Sequence, residues 1–152
     1  MNYNPDKGFF LLMINFPEFR NLFYFRIGEN ISKYIEFLCP KMNTLFINGN
    51  IGKGLFIQHG FATIIATNQM GENCWINQQV TIGFSNATDC PTIGNNVIIS
   101  AGSKIIGNVK IGDNSKVGAN AVVVKDVPAN CTVVGVPAHI IRRDGIRVQE
   151  PL

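Results

Sequence analysis

Charge is scarce in this sequence. Asp, Glu, Lys and Arg together make up 15% of the 152 residues, and the formal net charge is only +3. There is no run of Lys or Arg, so the electrostatic footprint of a dedicated nucleic-acid binder is missing. The four cysteines, Cys39, Cys74, Cys90 and Cys131, form no C-x-x-C pair and read as reduced thiols of a cytoplasmic protein. No signal-peptide pattern opens the chain, and the apolar run Phe9 to Ile14 is far too short to span a bilayer. Metal-ligand spacing, a phosphate-binding loop and a Ser-His-Asp signal are all missing. Histidine occurs only twice, at His59 and His139.

Glycine, by contrast, is abundant, with 15 copies. From Ile93 to Asp126 the chain is written in sixes: β-branched residues stand at Ile93, Ile99, Ile105, Ile111, Val117 and Val123. Two positions before the last five of these come Val97, Ser103, Val109, Ser115 and Ala121, and a glycine follows at Gly94, Gly112 and Gly118. A helix repeats every ~3.6 residues and a flat strand every ~2, so neither yields a strict six. One short strand plus one turn does, with one large side chain directed inward per unit. This is the signature of a parallel β-helix, a mainly β solenoid in which three units make a triangular coil. A solenoid also accounts for the low charge and high glycine content, because coils bury one another and corners need tight backbone.

Three segments follow from reading the chain in order. Residues 1–42 form a short helical N-terminal segment, with residues 1–8 polar and loose. Phe9–Phe16 and Glu18–Ile27 read as helices, with Asn15 as N-cap, Pro17 in a first turn and Gly28 as a stop; Glu29–Leu38 is a further helical candidate ending at Cys39-Pro40. The aromatics here suit a cap over the open end of the solenoid, buried against a neighbouring subunit. A second reading is an interfacial helix, giving peripheral membrane contact through residues 9–37 with Arg20, Arg26, Lys33 and Lys41 near lipid head groups. Residues 43–140 carry the repeat. Its count slips by one within Gln58-His59-Gly60-Phe61, so that Ile64 follows Ile57 as the inward residue, then Met70, Ile76 and Ile82. It breaks again between Ile82 and Ile93, where residues 83–92 have turn chemistry and should project as a loop. The repeat ends after Val124, Val133–Ala138 adds an edge element, and residues 141–152 form a C-terminal tail.

Few side chains are left for chemistry. The acids Glu72, Asp89, Asp113 and Asp126 show no paired spacing. His139 lies near the tail and reads as a surface or interface residue. His59 sits at the register slip beside a glycine, where a side chain can leave the regular wall; it is either a corner histidine or a base titrating near neutrality beside a projecting loop.

Several runs carry a resemblance. Ile51-Gly-Lys-Gly-Leu-Phe-Ile-Gln-His59-Gly, Val80-Thr-Ile-Gly, Cys90-Pro-Thr-Ile-Gly-Asn-Asn-Val97 and the stretch from Ala119 through Val-Lys-Asp-Val-Pro to Gly-Val-Pro-Ala138 are similar to the hexapeptide-repeat acyltransferases. The specific likeness is to their serine-acetyltransferase-like branch, which is related to capsule and polysaccharide O-acetyltransferases. The resemblance implies a left-handed β-helix, an exception to the usual hand of parallel crossovers, and a homotrimer with active sites in clefts. It implies acetyl-CoA as co-substrate and no metal. The catalytic histidine of the family falls on His59, acting as general base, with an oxyanion donor near Gly83. Ala101, Gly102, Gly118 and Ala119 correspond to the small residues against which CoA packs, with Lys116 placed to meet a phosphate. Gln58, Ser85 and Cys90 would face the acceptor.

The departures bear on that acceptor. Gln58 replaces the acid before the histidine, Thr44 stands where an orienting acid would fall, and Cys90 replaces a loop histidine. A site without acids lacks a partner for the ammonium of serine. The expectation is therefore transfer to a hydroxyl of a sugar or polysaccharide precursor, with serine O-acetylation as the alternative and a non-catalytic β-helix assembly module as a third reading.

Overall fold

The computed structural model describes residues 5–152. Helix α1 spans Pro5–Asn15, α2 Pro17–Ile27 and α3 Glu29–Ser32. Of the expected loose start, residues 1–4 lie outside the described residues, and residues 5–8 already belong to α1. Asn15 is not an N-cap: Phe16 holds that position without a side-chain bond, and the Asn15 amide donates back to the Leu11 carbonyl at 3.0 Å. Pro17 fits the first turn of α2, where a missing N–H costs nothing. The predicted helix to Leu38 stops at Ser32 and continues as turns with i→i+3 bonds, such as Ile35 N–H to the Ser32 carbonyl. Tyr34, Phe37 and Leu38 are exposed, so no buried face sustains a longer helix there.

Helix α2 is the anchor of this segment. Tyr24 is buried and its hydroxyl donates to the Cys39 carbonyl at 2.8 Å. The Asn21 amide donates to the carbonyls of Met42 and Leu45 at 2.9 and 3.1 Å. The Arg26 guanidinium donates to the carbonyls of Ile51 and Gly52 in the first coil, while Leu22 and Phe25 pack on the core. Arg20 binds the Met13 carbonyl and Lys41 pairs with Glu36 at 2.6 Å. Lys33 Nζ lies over the Tyr34 ring at 5.2 Å, so all four basic residues named for an interfacial helix are engaged with the chain itself, and no helix among the described residues is long and apolar enough to cross a membrane.

The remainder is a left-handed parallel β-helix of about five turns. Paired registers resolve it into three walls. The first stacks Ile47, Ile65, Ile82, Ile105 and Val123. The second stacks Ile51, Met70, Ile93, Ile111 and Val127. The third stacks Ile57, Ile76, Ile99, Val117 and Val133. All but the partly buried Ile47 are buried. The secondary residues Val97, Ser103, Val109, Ser115 and Ala121 are buried at corners as well, and the Ser103 and Ser115 hydroxyls donate to the carbonyls of Ser100 and Pro128, both at 2.8 Å. Along one corner Asn96, Asn114 and Asn130, all at positive φ, bond side chain to side chain at 3.1 Å per step.

Two registers differ from the count in the sequence. Ile64 is 45% exposed and Ile65 fully buried, so the slip at 58–61 adds two residues and the next interval is five. The repeat also continues past Val124, because Val127 bridges Ile111 and Val133 pairs Val117. The expected tail is a β-hairpin: His139–Arg143 pairs antiparallel with Cys131–Val134 and with Ile146–Pro151. Asp144 and Gly145, at φ 49° and 80°, make its turn, and Arg143 pairs with Glu150 at 2.6 Å.

Ile99 sits in the middle of the third wall, and truncating it leaves a hole that neighbours on both sides cannot fill. Ile99→Ala is expected to lower unfolding free energy by about 2–5 kcal/mol, read as a lower urea midpoint at unchanged slope.

Candidate functional site

The three walls meet at three edges, and the sequence-predicted residues divide between two of them. At the third-to-first edge the chain turns at Gln58-His59, Gln78-Gln79, Ala101-Gly102 and Ala119-Asn120, stacked one coil below another. Backbone bonds link the levels: Gln79 N–H to the Phe61 carbonyl at 3.0 Å, Gly102 N–H to the Gln78 carbonyl at 3.1 Å, and Asn120 N–H to the Ala101 carbonyl at 2.9 Å. The structure therefore brings His59, Gln58, Ala101, Gly102, Gly118 and Ala119 onto one straight edge, with the exposed Lys116 on the strand leading into it.

The smallness of two of these residues has an internal cause. A Cβ on Gly118 would lie 2.6 Å from Val134 Cγ1, and one on Gly102, which has a φ of 75°, would overlap the Asn120 carboxamide. At Gly118 the stiff Val134 side chain leaves no room, and at Gly102 the positive φ favours glycine. Ala101 and Ala119 are the small residues on the accessible side of the edge.

His59 ends the first coil at φ 64°, followed by Gly60 at φ 42°. Its side chain is exposed and makes no hydrogen bond among the described residues. Gly60 is closely covered: an added Cβ would sit 3.1 Å from both Glu18 Cβ and Leu45 Cδ2. This close approach brings α2 over the edge and encloses a cavity of about 340 Å³. Phe16, Phe19 and Leu22 form its helical side, Leu55 and Phe56 its coil side, and Glu18, Gln58 and His59 are its polar members. Thr44, in the position expected for an orienting acid, instead contributes its carbonyl to Thr63 N–H at 2.9 Å. Gln58 accepts a long bond of 3.4 Å from the Asn77 amide. Sequence reasoning passed over Glu18, because it belongs to a different element and nothing in the repeat points to it. Gln78 was missed as well; its carboxamide oxygen is buried on this edge with no partner among the described residues.

The loop of residues 83–92 leaves from the first-to-second edge, so Gly83, Ser85 and Cys90 are not beside His59 in the same chain. Gly83 is buried, its carbonyl accepting Gly107 N–H at 3.0 Å. Phe84 to Thr88 are exposed, as expected of a projecting loop. Asp89 organises it: the carboxylate accepts the Ser85 hydroxyl, the Ser85 N–H at 2.8 Å, and the Asn86 N–H and amide at 3.0 Å. The loop base is held by Thr67, whose hydroxyl donates to the Pro91 carbonyl at 2.7 Å. The Cys90 thiol points to the Ala66 carbonyl at 3.5 Å, and burial pushes it above the usual thiol range. Cys74 and Cys131 are raised by burial in the same way, and all four cysteines are free thiols. His139 lies in the terminal hairpin, at the other end of the solenoid from His59. No cluster of His, Cys, Asp and Glu with metal-ligand geometry occurs among the described residues.

Residues 90–125 match the family described as bacterial transferase hexapeptide (six repeats). A serine acetyltransferase of Staphylococcus aureus (strain Mu50) is 48% identical over 130 residues, which cover 78% of this chain and 61% of that protein. The chain belongs to the hexapeptide transferases, on the serine-acetyltransferase-like branch. Among solved structures, soybean serine acetyltransferase apoenzyme aligns with a TM-score of 0.69 at 30% identity, covering 84% of this chain and 58% of that one. A Brucella abortus serine acetyltransferase in complex with coenzyme A aligns with a TM-score of 0.63 at 32% identity, covering 80% and 51%. The chain spans 43% to 61% of the length of the curated relatives it matches.

The Ser85 hydroxyl, followed by the Asn86 and Ser85 N–H groups, holds the Asp89 carboxyl below its usual range. A carboxyl depressed in the folded protein stabilises its surroundings fully above the unfolded value of ~3.9 and loses that effect as pH falls through the folded value. The loop is therefore expected to stay ordered down to that range and to loosen below it. Amide exchange at Ser85 and Asn86 should rise through this acid step in the wild type, and in Asp89→Asn it should already be fast at neutral pH.

Proposed function

We propose that this chain is an acetyl-CoA-dependent O-acetyltransferase with His59 as general base. The observation that carries the reading is an exposed imidazole with no hydrogen bond among the described residues, at the end of the first coil beside an open cavity, in a chain 48% identical over 130 residues to a serine acetyltransferase. In this reading His59 removes the proton from the acceptor hydroxyl as that oxygen attacks the thioester carbonyl. The carbon–sulfur bond breaks, the acetyl group stays on the oxygen, and the proton passes to the departing CoA sulfur. CoA lies along the edge of Ala101, Gly102, Gly118 and Ala119, with Lys116 near a phosphate. The relative solved with coenzyme A supports a CoA site on this scaffold.

His59 and the loop bearing Gly83, Ser85 and Cys90 occupy different edges, so a complete site joins the His59 edge of one chain to the loop edge of another. This supports a homotrimer, in which three copies present the two edges to each other in a closed ring. Within that assembly the Gly83 backbone supplies the oxyanion donor, residues 1–42 cover the open end, residues 43–140 form the catalytic solenoid, and residues 141–152 complete its far end.

Serine is the first acceptor the relatives support. The sugar hydroxyl remains a second reading because of Gln58, Thr44 and Cys90, which leave the histidine without the acids and second histidine expected around a serine site.

His59→Ala should reduce acetyl transfer by about 10²–10⁴-fold with CoA binding retained. A thiol-release assay with acetyl-CoA against serine and a panel of sugars, beside CoA titration of the same variant, reads both. Wild-type rates in the variant would favour an assembly module instead.

A further inference from the structure

The outer face of the third wall changes character along its length. Its outward positions run Phe56, Trp75, Ile98, Lys116 and Thr132 through the coils, and Arg142 and Arg147 continue the row onto the terminal hairpin. The part nearest His59 is therefore aromatic and apolar, and the far part is cationic. Arg142 and Arg147 stand directly opposite each other on neighbouring strands, an arrangement of like charges that is destabilising by itself. The nearby acid does not relieve it: Glu150 pairs with Arg143 at 2.6 Å, on the side of the buried Ile140. Arg142 donates only a long bond of 3.3 Å to the Gly145 carbonyl. Beside the two arginines lies a cleft of about 670 Å³, lined also by His139, Ile141 and Gln149.

The position of this row matches the length of the donor. Lys116 stands three strands along the wall from the coil that ends in His59, and Arg142 stands five. At ~4.8 Å per strand these steps come to about 14 and about 24 Å. In CoA, about thirteen bonds lead from the sulfur to the first phosphorus, roughly 15 Å when extended, and about eight more, roughly 9 Å, lead on to the phosphate at the ribose 3′ position. A thioester at His59 thus brings the diphosphate to the level of Lys116 and the 3′-phosphate to the level of the hairpin.

We propose that the terminal hairpin holds the 3′-phosphate of the acyl donor between Arg142 and Arg147, and that this contact selects CoA over dephospho-CoA. A phosphate monoester carries close to two negative charges at neutral pH, and two guanidinium forks receive its oxygens in a bidentate way that a point charge does not match. An anion between the arginines turns their repulsion into shared attraction. The proposal rests on the reading that CoA lies along the His59 edge, and adds the residues that receive its far end.

Calorimetric titration of the full chain with CoA and with dephospho-CoA, without acceptor or turnover, tests this. The wild type is expected to bind CoA about tenfold tighter than dephospho-CoA. Arg142→Gln combined with Arg147→Gln should bring the two affinities together by weakening CoA alone, and added salt should narrow the wild-type ratio in the same direction. Without ligand, the double variant should unfold at a slightly higher urea concentration, because the facing charges are gone. Lys110→Gln, which removes an exposed cation from the second wall, should leave the ratio as it is. Equal affinities in the wild type, an unchanged ratio in the double variant, or an equal loss in Lys110→Gln would each overturn the proposal. So would a lower urea midpoint, or dissociation of the double variant in sedimentation velocity, which would assign the row to a contact between copies. The two readings fail separately. A wild type that binds neither compound counts against a CoA site on this edge altogether. Tight CoA binding that is indifferent to the 3′-phosphate leaves that site standing and removes the hairpin from it. The expected ratio with no acetyl transfer upholds the hairpin and counts against the chemistry assigned to His59.

Discussion

The stacking of one coil on the next is the interaction on which everything else here depends. A single triangular coil has three inward side chains and no interior of its own. Ile99 is buried only because Ile76 and Val117 stand above and below it. Parallel hydrogen bonding between coils fixes the spacing, and the β-branched residues fill it with few rotamers to lose. The result is a straight prism whose outer positions vary freely without disturbing the core. Function therefore has two places to go, the edges and the ends.

The edges have divided the task. At one, the chain keeps strict count and stacks small residues in line, giving a long smooth track. At another, the count is broken by a loop that an Asp89-centred network shapes and Thr67 fastens to the coil above. His59 belongs to neither regime fully. It stands where the first coil ends and α2 closes over it, and Gly60 permits the approach that places Glu18 nearby. The chemistry of this corner is set by the contact between solenoid and helix, not by the repeat itself.

That division explains what could be read from the residues in order. The sixes from Ile93 to Val123 name their own inward residues because every unit there has one length. They fail at Ile64, where alternation around a bent, positive-φ turn puts Ile65 inside instead. They stop short at Val124, because the last coil shortens its corner and Val127 arrives early. His59 was visible as an irregularity in a regular pattern. Glu18 was not, since its proximity arises from a helix docking through Tyr24, Asn21 and Arg26, and none of those bonds has a periodic signature. The split of Gly83, Ser85 and Cys90 from His59 was equally hidden, because it depends on which edge each turn occupies.

The hairpin of His139–Arg143 and Ile146–Pro151 changes the strand direction of the third wall. Every strand before it offers the next coil a parallel partner, and an uncapped wall would offer the same to a second molecule. By reversing direction after Val134 and again at Asp144, the chain covers the end of its third wall with antiparallel strands. The outermost strand carries Arg147 and Glu150 and ends on Pro151, which has no N–H to give. The hairpin thus closes the third wall in the opposite sense to the coils: where each coil hands a parallel edge to the next, this one hands on an antiparallel edge.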